Sequence, residues 1–356
     1  KNAFTKTTLL NKKLETPQVN LKKDPVSFSY KLESSEQLDF NPKPFVENSK
    51  QYWLDTTGNK LANGLDLPVT GGQAIIRISP LSNDKSIQLS ADQIKILNNG
   101  EITNINVFAD SAQLKATGAP FSDNSIALKV NTSAGNLNLK VINSNQNTPF
   151  VIHVLEPNSP YELSLSSAKS TYSSNQSINI NTKLMLDKAT IGSNLHGYVS
   201  RPDGSVVGEL MFSQLADGSY NAKLDIDSAQ GLAQGLWEAH VFAKGSDNGI
   251  EIMRDAQTSF AVNLNTARFD GQVKNLSNKL EIGIEVGLKG RSEVRGVLFG
   301  TDSSGEMKPL AMTMTAKWLE SGTQSINLDL DQKIIAKSSL TAPFAIRNVQ
   351  LTKKTQ

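Results

Sequence analysis

Cysteine is absent from all 356 residues. That excludes disulfides, thiolate metal sites and cysteine nucleophiles. A cysteine-free chain rich in Asn, Ser, Gln and Thr suits an oxidising compartment, where a stray thiol mispairs. Histidine is nearly absent too, with His153, His196 and His240 the only three, so any histidine triad or metal centre must be drawn from them. No stretch approaches the run of about 18 apolar residues that crosses a bilayer as a helix. Nor is there a large charge of one sign: the formal net charge is +2, with 20% charged and 38% hydrophobic residues. Such a composition belongs to a folded globular chain and argues against disorder and against nucleic acid as the partner. The chain opens on Lys1 rather than Met. Together with the missing cysteines this predicts an exported protein (periplasmic, cell-surface or secreted) whose leader is absent from this chain.

The familiar catalytic signatures are missing as well. There is no G-x-S-x-G turn to expose a serine nucleophile, no G-x-x-x-x-G-K-[ST] loop to cradle phosphates and no G-x-G-x-x-G opening a helix. H-E-x-x-H is absent. No catalytic residue is therefore assigned.

What is present is the period-two alternation of β-strands, at a length that predicts two or three domains. Residues 1–45 mix Pro17, Pro25, Pro42 and Pro44 with seven lysines up to Lys31, show no sustained period, and are read as a basic extended arm laid over the first domain or partly mobile. Its two readings are a contact for an anionic surface and a solvated tail; the second is adopted. Residues 46–157 hold short strands at Gln51–Asp55, Leu65–Val69, Gln73–Ser79, Ile105–Ala109, Ser125–Val130, Leu137–Ile142 and Phe150–Leu155, with a helical turn or two at Ser111–Thr117. They predict an N-terminal β-sandwich or jelly-roll-like domain. Glu156-Pro157-Asn158-Ser159-Pro160 reads as a stiff linker.

Residues 158–264 carry seven strands with turns at Pro202-Asp203-Gly204 and Asp217-Gly218, which meets the criterion for an immunoglobulin-like domain. Ile178, Ile180, Thr182, Leu184 and Leu186 point inward on its long second strand. Trp237, Ala239, Val241 and Ala243 do so on its sixth. Residues 265–356 restart the scheme as a second immunoglobulin-like domain, with inward sets Leu280, Ile282, Ile284, Val286, Leu288 and Leu310, Met312, Met314, Ala316, Trp318. The fold class is all-β: three β-sandwich-type domains in series, the last two immunoglobulin-like.

Leu65-Asp66-Leu67-Pro68, Ala74-Ile75-Ile76-Arg77-Ile78-Ser79-Pro80, Gly235-Leu236-Trp237-Glu238-Ala239-His240-Val241 and Pro343-Phe344-Ala345-Ile346-Arg347 resemble an exported bacterial family of unknown function, built from an N-terminal β-domain followed by two immunoglobulin-like domains. The resemblance spans most of the chain after the arm. It implies an export signal upstream, and it transfers no catalytic residue.

One constellation survives the search for chemistry. His196 lies on the outer side of the third strand of the middle domain, and Glu238 and His240 lie on the outer side of its sixth strand. Those strands are neighbours in the immunoglobulin fold. Two imidazoles and a carboxylate can hold zinc with an open position; cross-strand polar neighbours on a solvated sheet face look the same in sequence, and that reading is adopted. Asp225 with Asp227 and Asp329 with Asp331 invite calcium but match no D-x-[DN]-x-[DN]-G loop, and alternating Asp is what a half-exposed strand contains. No cofactor or metal is therefore expected, with Ca or Zn held open. Trp53, Trp237 and Trp318 each fall in or beside an apolar set and are assigned to cores.

The expectation from sequence is a non-catalytic exported multidomain β-protein that binds a surface, polymer or protein partner, an unknown protein or a polysaccharide, without nucleic acid and without a transmembrane segment. The alternative is an exported hydrolase or polysaccharide-binding accessory protein. Its site would lie at the first interdomain junction, near Arg77, His153 and the start of the middle domain.

Overall fold

The computed structural model describes residues 24–40, 44–81, 87, 89–116, 124–144, 147–173, 176–226, 235–263 and 266–353. They form two compact units, 44–263 and 24–40 with 266–353. The protein is all-β, built of three sandwich-type domains of which the last two are immunoglobulin-like, and no helix among the described residues is long and apolar enough to cross a membrane.

In the first unit the N-terminal sandwich packs two antiparallel sheets. One runs Leu65–Val69, Gly135–Val141, Ile94–Asn98, Glu101–Ile102; the other runs Gln51–Thr57, Pro149–Leu155, Gly72–Pro80, Ile126–Thr132, Ile105–Ala109. Alternation decides which side chains meet between them: Ala74, Ile76 and Ile78 point inward while Gln73, Ile75 and Arg77 point out, and Tyr52, Leu137, Phe150 and Ile152 complete the core. Fully burying each large apolar side chain contributes about 1.5–3 kcal/mol. A short helix, Ser111–Ala116, stands where the sequence predicts a helical turn.

The middle sandwich has the immunoglobulin strand order. Met211–Gln214, Tyr220–Asp225, Ser177–Leu186 and Tyr161–Ser167 make one sheet, extended by Val46–Ser49; Thr171–Ser173, Ile250–Asn263, Leu236–Asp247, Ser193–Ser200 and Val206–Glu209 make the other. The first strand thus divides between both sheets, and its second piece runs parallel to the last strand, Thr171 opposite Ala261. Ile178, Ile180, Thr182 and Leu184 are buried as expected, and so are Trp237, Ala239, Val241 and Ala243. Trp237 is 1% exposed.

In the second unit the three strands Ala267–Asn275, Lys279–Val286 and Gly322–Asp329 and the four strands Val26–Lys31, Met307–Leu319, Gly290–Thr301 and Thr341–Lys353 enclose Ile282, Ile284, Val294, Leu319, Ile326 and Leu328. Three expectations change here. Part of the supposed arm, Val26–Lys31, is an edge strand of this sandwich, paired with Met307–Leu319 from Val26 opposite Ala316 to Lys31 opposite Ala311; residues 1–23 lie outside the described residues. Its Val-Ser-Phe-Ser-Tyr-Lys is a period-two pattern that the surrounding prolines and lysines obscure. Met312, Met314 and Ala316 occupy the outer face of their strand, and Thr313 and Thr315 the inner one, where the Ser27 and Ser29 hydroxyls meet Thr315 and Thr313 from the paired strand. Leu288 falls after its strand ends at Val286 and is 56% exposed.

Candidate binding face

The outer face of the five-stranded sheet of the N-terminal sandwich carries a row of three side chains in direct register. Trp53 lies opposite His153, and His153 lies opposite Arg77. The His153 ring stacks on the Trp53 indole with centroids 4.0 Å apart and planes 16° apart, and the Arg77 guanidinium carbon sits 4.8 Å from the indole centroid. His153 Nε2 is 2.8 Å from Gln51 Oε1. Trp53 is therefore not a core residue: it keeps 37% of its surface exposed on a face it shares with Gln51 and Asp55. Trp318 also leaves the core assignment, half-buried with its indole N–H donated to Glu320 at 2.9 Å.

Electrostatics fix the state of this row. Burial, and after it the nearby Arg77 charge, lower the His153 pKa to about 4, so the imidazole is neutral at physiological pH. The indole is in contact with both groups: the neutral imidazole stacks on it without adding a second charge beside the guanidinium, and the guanidinium gains from the indole quadrupole. Lys129 stands on the same face in the next strand, opposite Ile75. Gln51 also lines an adjoining shallow depression of ≈ 310 Å³ with Glu47, Asn48, Lys50, Leu155 and Pro157. The result is an open sheet face of mixed polar and apolar side chains with one aromatic platform in contact with His153 and Arg77.

The junction expected to be a stiff linker is instead a buried joint. Glu156 and Arg254 are both fully enclosed, with Arg254 Nη1 2.9 Å from Glu156 Oε2. The backbone N–H and hydroxyl of Thr70 donate to Glu156 Oε1 at 2.6 and 2.9 Å; Arg254 donates to the Ser159 hydroxyl at 2.7 Å and to the carbonyls of Tyr161 and Met253 at 3.1 and 2.7 Å. Next to it, the Trp53 backbone N–H donates to Asp255 Oδ2 at 2.7 Å. Desolvation lifts the Asp255 pKa to about 7, against the opposing pull of that hydrogen bond and of Arg254. These carboxylates are closed off from solvent and so are structural ties rather than groups open to a substrate. A cleft lined by Asp, Glu or His between Arg77, His153 and the start of the middle domain is what would favour the hydrolase alternative; Arg77 and His153 are paired on the open sheet face.

On the middle sandwich the structure separates two of the three residues singled out from the third. Glu238 Oε2 is 3.4 Å from His240 Nε2, and the two strands do pair. The register sets Tyr198 opposite His240 and Phe242 opposite His196, so each imidazole stacks on a benzene ring: His240 on Tyr198 at 4.7 Å, His196 on Phe242 at 6.1 Å. Ser200 Oγ also lies 3.3 Å from His240 Nε2. A Ser-His-acid relay needs the acid and the serine on opposite ring nitrogens; here both contact the same one. Burial lowers the His240 pKa while Glu238 raises it, and burial dominates.

The aspartates have local duties. Asp225 accepts the Ser177 hydroxyl at 2.6 Å, while Asp227 lies outside the described residues. Asp331 caps the helix Gln332–Lys337, accepting the N–H groups of Lys333 and Ile334 at 2.8 and 3.1 Å, and Asp329 supplies its backbone carbonyl to the Thr313 hydroxyl. Among the described residues no group of three or more His, Asp or Glu side chains is placed to hold a metal ion.

The signal for the Trp53 row was in the sequence. In Gln51-Tyr52-Trp53-Leu54-Asp55 strict alternation puts Trp53 with Gln51 and Asp55, not with Tyr52 and Leu54. Its pairing with His153 and Arg77 depends on strand order and register, which no local pattern carries.

Comparison with known proteins places this architecture. The model of the N-terminal domain of a domain-of-unknown-function family, DUF4785, matches residues 17–156, and the model of the same family's C-terminal domain matches residues 266–356. No curated protein matches the chain. A crystal structure of a DUF4785 family protein from Legionella pneumophila is similar over 94% of this chain and 90% of its own, with a TM-score of 0.69 at 18% identity, a likeness of fold. Two further similarities are slight. Alpha-2-macroglobulin from Escherichia coli is 13% identical over 74% of this chain and 20% of its own with a TM-score of 0.24. The titin tandem A164-A165 is 10% identical over 47% of this chain and 95% of its own with a TM-score of 0.19. With its N-terminal and C-terminal parts matched by the two models and its outline shared with a solved member, the chain belongs to the DUF4785 family, whose function is unknown.

Proposed function

We propose that this protein is a non-catalytic, exported binding protein that holds a polysaccharide on the outer face of its N-terminal sandwich, with Trp53 as the stacking platform. The observation that carries the reading is the Trp53 ring: it is partly exposed, in contact with the neutral His153 ring and with Arg77, on a sheet face it shares with the polar Gln51, Asp55 and Lys129 and the apolar Ile75, Val151 and Leu155. A sugar ring offers a patch of C–H bonds to stack on an indole and hydroxyls around its rim. The rim would meet the amide of Gln51 and the carboxylate of Asp55, and further rings of the chain would run across the sheet toward the ammonium of Lys129. An open sheet face suits a chain of many such rings better than a small apolar ligand, which would be enclosed.

Export is supported by the cysteine-free composition. The absence of catalytic sequence signatures and the shared nitrogen in the Ser200–His240–Glu238 contact support a role in binding rather than turnover. A thermal-shift series with a panel of neutral and acidic polysaccharides tests the reading, because a ligand of the native state raises its unfolding midpoint. At least one polysaccharide should raise the midpoint of the wild-type protein and leave that of Trp53→Ala unmoved. A panel without effect on the wild type, or an equal rise in both proteins, would defeat the proposal.

A further inference from the structure

Val26–Lys31 ends the four-stranded sheet of the second unit. One side is paired in unbroken register with Met307–Leu319; the other has no strand beside it among the described residues. Along such an edge, alternate residues aim unpaired N–H and C=O groups outward, and these recruit another strand. Proteins blunt exposed edges with proline, charge or a bulge. Here Pro25 and Lys31 stand only at the ends, and the span from Val26 to Tyr30 has none of these defences. Val26, Phe28 and Tyr30 are all exposed, Phe28 by 53%, on the face shared with Met312 and Met314. Ser27 and Ser29 turn the other way, tied to Thr315 and Thr313 at 2.8 and 2.9 Å.

From Val26 to Tyr30 this strand is its own antiparallel complement. Two copies paired about Phe28 bring Val26 opposite Tyr30, Phe28 opposite Phe28, and Ser27 opposite Ser29, so that apolar meets apolar on one face and hydroxyl meets hydroxyl on the other. A twofold interface imposes this condition, since residue i must accept j exactly where j accepts i. A strand from an unrelated partner imposes no such symmetry on Val26–Lys31, and the symmetry is what selects a second copy as occupant. We propose that the protein forms a twofold dimer in which the Val26–Lys31 strands of two copies pair antiparallel about Phe28, making one continuous sheet from two. The proposal is independent of the Trp53 face.

Sedimentation equilibrium on the full chain tests it. The wild type should dissociate from dimer to monomer on dilution. Phe28→Asp places two carboxylates directly opposite one another, and Phe28→Lys two ammonium groups; like charges so placed repel. Each variant alone should be monomeric, and an equimolar mixture of the two should dimerise. Val26→Asp with Tyr30→Lys, which sets opposite charges across the same register, should keep the dimer, whereas Val26→Asp with Tyr30→Asp should lose it. These side chains are exposed, so melting curves should match that of the wild-type monomer. A wild type that stays monomeric up to its solubility limit overturns the proposal, and so does a dimer that the like-charged variants leave intact or that the mixture fails to restore.

Discussion

The guanidinium of Arg254 and the carboxylate of Glu156 lie 2.9 Å apart with neither side chain reaching solvent, and their hydrogen bonds tie the strand Ile250–Asn263 of the middle sandwich to Thr70 of the N-terminal one. Two charges taken out of water are tolerated because each is the other's partner, with Thr70 donating twice to Glu156 Oε1 and Arg254 donating to Ser159, Tyr161 and Met253.

Removing one partner therefore costs far more than the pair is worth. Arg254→Met leaves a buried, uncompensated carboxylate and should destabilise the protein by about 3–5 kcal/mol. The double variant Glu156→Gln with Arg254→Met should recover much of that loss. Urea unfolding curves of the two variants and the wild type check it; a single variant as stable as the wild type would show that the pair is not the tie described.

Asp255 makes stability depend on pH with a definite sign. Its carboxyl is held protonated in the folded protein up to about pH 7, whereas in the unfolded chain it ionises near 3.8. Between those values the folded state binds the extra proton, so this group's contribution is full below pH 3.8 and is lost as pH rises toward 7. Asp255→Asn removes the titration and can still accept the Trp53 N–H. The stability of the wild type relative to Asp255→Asn should fall steadily across that window, as read from denaturant midpoints at successive pH values. A flat or rising difference would contradict the assignment.

Asp331 acts as a helix cap. Asp331→Ala should cost about 1 kcal/mol through the lost bonds to Lys333 and Ile334. The loss should be the same with calcium or with EDTA, as measured by thermal unfolding; a calcium-dependent loss would turn the residue into a ligand.

Much of the fold is legible in local alternation. Ile178 through Leu184 and Trp237 through Ala243 point where a period of two sends them, and the turn at Pro202-Asp203-Gly204 lies between Ser193–Ser200 and Val206–Glu209 as its residues predict. What the alternation misses is which side of a strand becomes the inside. Met312 and Met314 look like core of the sandwich, yet Thr313 and Thr315 take its inner face, where Thr315 meets Ser27 and Thr313 meets Ser29 and the Asp329 carbonyl, nearly 300 and 16 residues away, while Met312 packs instead with Leu32, Val297 and Phe299. The binding face shows the same division: the outward direction of Trp53 is written in Gln51–Asp55, but its stacking on His153 follows from pairing across about a hundred residues. Register also undoes the His196–Glu238–His240 convergence, since the rung that would join the imidazoles holds Tyr198 opposite His240 and Phe242 opposite His196.

Co-sedimentation of the wild-type protein and of Trp53→Ala with insoluble polysaccharides, alongside thermal unfolding of both, is the most direct test of the central claim. Trp53 sits on the surface of a sheet whose core lies on its other side, so Trp53→Ala should unfold close to the wild type while losing its retention on the polysaccharide that the wild type binds. Equal retention of the two proteins, or no retention of either on any polysaccharide, would contradict the claim.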